Sequence, residues 1–190
     1  MSNPRKNLPP QGTEMTPGPV FRIGQPELAQ EVIIDGKRRF FWHATPHDAE
    51  LAELAGWSQL DASDEGEGIG SIEIPEDARS ASSALGGMES RLGEKDQILD
   101  FVSGYATTLY SQYGMVDGSL SLDTVGVTRG NEKIFAVPPH NLIQVENPAD
   151  YAGWYDGMRA DLEDILVSDP RRDELVDKFR QHMPFMSEEA

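Results

Sequence analysis

Two short apolar runs near the N-terminus predict a β-hairpin. Residues 31–34 and 39–43 are rich in the β-branched and aromatic residues that strands favour. They flank Asp35-Gly36-Lys37, and Asp-Gly is a pair that accepts the positive φ angles of a tight hairpin turn. Further strands are predicted over residues 20–23 and 71–74. Together these segments indicate an antiparallel sheet in the N-terminal part of the chain.

Apolar residues at helical spacing predict four helices. They cover residues 46–60, 94–113, 148–167 and 171–183, and residues 80–93 are predicted as a loop or a weak helix. We expect each helix to turn its apolar stripe towards the core. In the longest helix the stripe consists of Ile98, Phe101, Val102, Tyr105 and Leu109.

A second hairpin is predicted over residues 125–137. The apolar runs 125–128 and 133–137 are joined by Arg129-Gly130-Asn131-Glu132, which contains the residues that tolerate positive φ. Pro138-Pro139 ends the second run because proline has no N–H to donate to a strand ladder. The pattern alone predicts a β-hairpin and no particular chemistry.

The length of 190 residues suits one domain with a tail. Residues 1–19 are rich in proline and poor in bulky apolar residues, so we expect a disordered N-terminal arm. Residues 20–77 are predicted to form a sheet with one helix, and residues 78–190 a helical part that contains the hairpin. The predicted fold class is therefore α+β.

Composition narrows the chemistry and the compartment. The chain has no cysteine, which excludes a disulfide, a thiolate zinc site and a cysteine nucleophile. No apolar run is long enough to span a membrane, and the polar N-terminus does not have the pattern of a signal peptide. We therefore expect a soluble, cytoplasmic protein.

The formal net charge is −17, from 33 acidic and 16 basic residues. Such a charge repels nucleic acid, anionic membranes and, without a local basic pocket, ATP. It favours a basic protein partner, although solubility alone also explains it. We expect a protein partner and no binding of nucleic acid or membrane.

Three other kinds of site are disfavoured by spacing. The acidic loop that begins at Asp61 opens like a calcium loop, but its twelfth position is Ile72 instead of a bidentate Glu. His43 and His47 are spaced like zinc ligands on one helix, but Pro46 places His43 in the preceding strand. Ser119 lacks the second glycine of a hydrolase nucleophile elbow. The sequence therefore predicts no metal and no cofactor.

The segment 113–139 resembles the catalytic segment of protein-kinase-like phosphotransferases. In that family a loop of the form H-[RG]-D-L-x-x-x-N leads into a hairpin that ends in D-[FP]-[GP]. Here Asp117-Gly118-Ser119-Leu120 takes the place of H-G-D-L, and Thr124 takes the place of the Asn. Pro138 stands where the metal-binding Asp would be. The resemblance implies a reduced kinase-like fold over about residues 20–180.

The resemblance also implies that the chemical residues of the family are replaced. The family uses a loop Asp at the substrate hydroxyl, and an Asn and a second Asp on Mg²⁺. Ser119, Thr124 and Pro138 cannot perform these roles well. The Lys that contacts the phosphates is matched by His43, and the helix Glu by Glu50 or Glu53.

Two functional hypotheses follow. In the first, the protein is a catalytically inactive kinase-like scaffold that binds another protein. In the second, it is a phosphotransferase or nucleotide-binding enzyme with unrecognised acidic ligands such as Asp117 or Asp123. These two residues are either remnants of a metal site or caps of the loop, and the cap interpretation is favoured.

Overall fold

The computed structural model describes residues 21, 29–43, 51, 54–56, 69–87, 92–137, 139, 141–147 and 149–184. The predicted disordered arm lies outside the described residues. So do most of the helix predicted over residues 46–60, of which Leu51 and Leu54 are helical, and most of the acidic loop that begins at Asp61.

The N-terminal part is an antiparallel sheet of three strands in the order β1-β2-β3. The strands are β1, Ala29–Ile34, β2, Lys37–His43, and β3, Ile69–Glu73. Asp35 and Gly36 form the turn with φ angles of 51° and 77°, which confirms the predicted hairpin. Phe21 lies in a bend, so the strand predicted over residues 20–23 is wrong at this position; the rest of that run lies outside the described residues.

Besides the helical residues Leu51 and Leu54, the described part of the chain has four α-helices with defined bounds. They are α1, Ala81–Gly86, α2, Leu92–Tyr113, α3, Ala149–Ile165, and α4, Arg172–His182. The three long helices are confirmed, and α1 shows that the helical alternative was right for residues 81–86. Ser80 caps α1 by accepting the N–H of Ser83 at 3.3 Å.

Five short strands, two of which form the second hairpin, make up two small sheets. In one sheet β4, Arg79–Ser80, pairs with β6, Val125–Val127, which pairs with β7, Ile134–Ala136. In the other, β5, Met115–Asp117, pairs with β8, Leu142–Gln144. The predicted hairpin is confirmed, but its connection is a six-residue loop with a 3₁₀ turn over Arg129–Asn131.

The hairpin links the N-terminal sheet to the helices. The N–H of Ala136 donates to the carbonyl of Ala55 at 3.0 Å. The side chain of Asn131 donates to the carbonyl of Glu94 in α2 at 2.8 Å. Phe135 is completely buried between these elements and, with Phe21, continues the core into the sheet. The α+β fold class is confirmed, with an N-terminal antiparallel sheet followed by a helical part that encloses the hairpin.

Ion pairs fix α4 and the turn before it against α2. Arg171 and Lys178 both contact Asp96, at 2.8 and 3.2 Å, and Lys95 contacts Asp169 at 2.5 Å. The hydrogen bond from Arg171 lowers the pKa of Asp96, and Lys178 adds to the effect.

None of the helices in the described ranges is long and apolar enough to cross a membrane.

Candidate functional site

Asp117 is a buried acid at the end of β5. It is 7% exposed and lies opposite Leu142 of β8. Its Oδ2 accepts a hydrogen bond from the Tyr105 hydroxyl on α2 at 3.0 Å. Its Oδ1 accepts from the N–H of Ser119 at 2.8 Å and from the Ser119 hydroxyl. Both carboxylate oxygens are therefore engaged within the protein, which offsets the cost of burying them.

Thr124 closes the loop that begins at Asp117. Its hydroxyl donates to the carbonyl oxygens of Ser119, at 2.9 Å, and of Ser121, at 3.1 Å. The same hydroxyl accepts the N–H of Ser121 at 2.8 Å. The Thr124 carbonyl in turn accepts the N–H of Val137 at 2.9 Å, which joins the loop to the end of the hairpin. The Thr124 side chain thus holds the backbone of its own loop.

Asp123 fastens the other end of the loop to α1. Its Oδ1 accepts a hydrogen bond from the hydroxyl of Ser82. The N–H of Ser82 also donates to the carbonyl of Leu122 at 3.0 Å. Asp117 and Asp123 therefore hold opposite ends of the loop, one to α2 and one to α1.

Two buried tyrosines lie near Asp117. Burial raises the pKa of Tyr105 well above its usual value, and the charge of Asp117 and the hydrogen bond to it add to this effect. Burial likewise raises the pKa of Tyr155 on α3, and the nearby charge of Asp117 raises it further. A phenol beside a buried carboxylate resists ionisation because a second negative charge would be unfavourable there. Both hydroxyls therefore stay protonated at neutral pH.

Gly118 lets the loop pass under α3. Its N–H donates to the carbonyl of Asn141 at 2.8 Å. A Cβ atom at this position would lie 2.1 Å from the ring of Trp154 and 2.6 Å from the side-chain nitrogen of Asn141. Only glycine fits this contact, so the packing of the loop requires glycine at position 118.

We expect Gly118→Ala to lower the free energy of unfolding by about 1–3 kcal/mol, because the added methyl group must displace Trp154 or the loop. Gly157→Ala is the matched control, since nothing lies within 4 Å of its Cβ position in α3. That change should stabilise the helix by about 0.5–1 kcal/mol. Urea unfolding of both variants measures the difference. Equal stabilities would show that the loop is not packed under Trp154.

The structure brings together three of the six residues matched to the kinase motif. Asp117, Ser119 and Thr124 form one hydrogen-bonded loop. Glu53, Pro138 and the side chain of His43 lie outside the described residues, although the backbone of His43 ends β2 opposite Ile69. In the described ranges, no three His, Cys, Asp or Glu side chains gather in a way that could hold a metal ion. In the described loop, side-chain hydrogen bonds hold the backbone in place, and the loop does not present an exposed general base.

Four residues around Asp117 were not predicted to take part in the site. Tyr105 was predicted only as a core position and Trp154 only as part of the helix over residues 148–167, because a helical stripe indicates which face is buried but not which polar atom its residues meet. Tyr155 and Asn141 carried no sequence signal.

No family model matches the sequence, and no curated protein matches it. Among solved structures, the fold is similar to the PK-1 kinase of Cydia pomonella granulovirus. The TM-score is 0.40 and the identity 13%, over 64% of this chain and 52% of the viral protein. It is also similar to the kinase domain of maize SIRK1, the sucrose-induced receptor kinase 1. There the TM-score is 0.34 and the identity 13%, over 57% of this chain and 45% of the maize domain. The matched region spans about half the length of each of these structures.

Proposed function

We propose that this chain is a catalytically inactive kinase-like protein that acts as a protein-binding or scaffolding module. Ser119 stands where the resemblance requires the catalytic Asp, and Thr124 where it requires a metal-binding Asn. Pro138 replaces the second metal ligand and His43 the phosphate-binding Lys. Each replacement removes a charge or a ligand on which phosphoryl transfer depends.

The observation that carries the proposal is the closed hydrogen bonding of the loop. Ser119 donates its hydroxyl to Asp117, and Thr124 donates its hydroxyl to the loop backbone. Asp117 and Asp123, the acids of the alternative enzyme hypothesis, accept hydrogen bonds from Tyr105 and Ser82. A metal ion or a substrate hydroxyl would have to displace these internal partners first, at the cost of leaving buried groups unsatisfied.

The charge of the whole protein supports the same proposal. A net charge of −17 opposes the approach of a triphosphate and favours a basic protein partner. The absence of cysteine fits a reducing cytoplasmic location. A protein partner is therefore the class of ligand that we propose, with no nucleotide cofactor.

A thermal melt with millimolar ATP, with and without Mg²⁺, tests this proposal. Nucleotide at 100 times its dissociation constant would stabilise the fold by about 2.7 kcal/mol, which raises the melting temperature by several degrees. We expect no such shift. Mg²⁺ alone is the control, because an acidic protein binds divalent cations loosely. A shift that requires both Mg²⁺ and ATP would favour the phosphotransferase hypothesis, and a shift with ATP alone would indicate metal-free nucleotide binding.

A further inference from the structure

A polar groove lies between α3 and α4, at the surface of the helical part. It has a volume of about 350 Å³, and its lining lies within residues 159–180, which the structure describes without a gap. Three arginines line it, Arg159 of α3 and Arg172 and Arg180 of α4. The two α4 arginines lie four residues before and after the buried Val176, so they share its helix face. The groove therefore brings three guanidinium groups from two helices together.

Two of these guanidinium groups are fixed by one carboxylate. Glu163 of α3 accepts a hydrogen bond from Arg159 at 2.7 Å and one from Arg172 at 3.4 Å. Arg172 also donates to the backbone carbonyl of Glu163 at 3.2 Å. A guanidinium has five N–H donors in a rigid fork, so both arginines keep donors for a second oxyanion. Because their positions are already fixed, binding such an anion costs less conformational entropy.

The third arginine extends the positive centre of the groove. Arg180 is exposed in the last turn of α4, and its guanidinium makes no hydrogen bond or ion pair with another described residue. Guanidinium groups match carboxylate and phosphate oxygens in pairs, which lysine ammonium groups do not. Three of them around one groove favour an oxyanion that carries more than one charge.

Carboxylates surround this positive centre on its solvent side. The side chains of Asp156, beside Arg159, and Asp173, beside Arg172, are 60% and 91% exposed, and Asp177 is exposed as well. Ion pairs as exposed as these contribute little to stability, so an incoming oxyanion can replace them at the arginines. A ligand that matches the whole pattern has an anion at its centre and cations on both sides. Those cations also agree with the attraction of a net charge of −17 for basic segments.

We propose that the groove between α3 and α4 binds a phosphoserine or phosphothreonine that is flanked by basic residues in a partner protein. The phosphate carries a charge of about −1.5 to −2 and three strong acceptor oxygens, which Arg159, Arg172 and Arg180 bind. The flanking basic residues lie against the surrounding carboxylates. The inference rests on the proposed protein-binding function and deepens it by naming the chemistry of the partner.

The test is calorimetric titration of the full chain with two synthetic heptapeptides. One has a central phosphoserine between two glycines, with two lysines at each end, and the other has serine at the centre. We expect the phosphorylated peptide to bind at least about tenfold more tightly. Attraction by net charge alone predicts the opposite order, because phosphorylation lowers the positive charge of the peptide. The sign of the difference therefore decides between a local site and general attraction.

Three variants locate the site. Arg180→Gln and Arg172→Gln should each weaken binding of the phosphorylated peptide about tenfold, with little effect on the serine peptide. Arg129→Gln is the matched control, since Arg129 is exposed in the turn of the second hairpin and its loss changes the net charge equally. It should leave the preference for the phosphorylated peptide unchanged. If Arg172→Gln does not fold because it loses Glu163, Arg180→Gln decides alone, as its guanidinium has no described partner to lose.

Three results would overturn the proposal. They are equal or weaker binding of the phosphorylated peptide, an equal loss of affinity in Arg129→Gln, and complete displacement of the peptide by an equal concentration of inorganic phosphate, which would indicate a site for free phosphate. The peptides contain no nucleobase, so these results are independent of the nucleotide melt. Failure here removes the site, whereas a shift with Mg²⁺ and ATP opposes the scaffold proposal itself.

Discussion

Phe135→Ala is expected to lower the free energy of unfolding by about 3–5 kcal/mol. The Phe135 ring is completely buried and contacts Phe21. It lies so close to Gly126 of β6 that any side chain at position 126 would clash with it. Truncation leaves a cavity between the sheet and the hairpin. The loss is a large fraction of the 5–15 kcal/mol that typically stabilises a domain. Urea unfolding followed by circular dichroism measures it.

The control for this prediction is Val167→Ala. Val167 is 73% exposed, so its truncation removes almost no buried surface and should change the stability by less than about 0.5 kcal/mol. A loss below about 1 kcal/mol for Phe135→Ala would mean that the residue is not enclosed by sheet and hairpin.

Asp117→Ala is the second change with a large expected effect, a loss of about 2–5 kcal/mol. The substitution removes the acceptor for the Tyr105 hydroxyl and for the N–H and hydroxyl of Ser119. Each buried donor that is left without a partner costs about 1–3 kcal/mol. Asp117→Asn keeps a carbonyl acceptor and should lose less. Equilibrium unfolding of both variants at neutral pH gives the comparison.

A double-mutant cycle separates this explanation from a loss of packing. Tyr105→Phe alone removes one hydrogen bond and should cost about 1 kcal/mol. In the Asp117→Ala background the same change removes an orphaned hydroxyl, so the double variant should be at least as stable as Asp117→Ala alone. Losses that simply add would show that Tyr105 and Asp117 are not energetically coupled.

Where a turn or a helix is encoded locally, its position was predicted. Asp35-Gly36 requires positive φ at both central residues, and the structure has 51° and 77° there. The long helix α2, Leu92–Tyr113, follows from a stripe repeated over many turns, which no alternative structure satisfies.

The pairing of β5 with β8 could not be predicted in the same way. Each strand has only three residues, which is too short for a period-two pattern, and the hairpin lies between them in the chain. The contact of Asp117 with Tyr105 was missed for a different reason: helical spacing indicates which face of the helix is buried, but not which residue it contacts. Ser119 and Thr124 were identified by comparison with a motif. Their hydrogen bonds within the loop depend on its three-dimensional conformation, which the motif does not specify.

The bond between Ala136 and Ala55 has a consequence for the synthesis of the protein. Roughly 80 residues separate these positions, and a ribosome that adds about 5–20 residues per second needs roughly 4–16 s to supply the second after the first. Throughout this interval the nascent sheet carries Phe40 and Trp42, both fully buried in the finished fold, without the hairpin that completes the core beside them. We therefore expect the early half of the chain to expose apolar surface during translation, which chaperones could shield until the later half emerges.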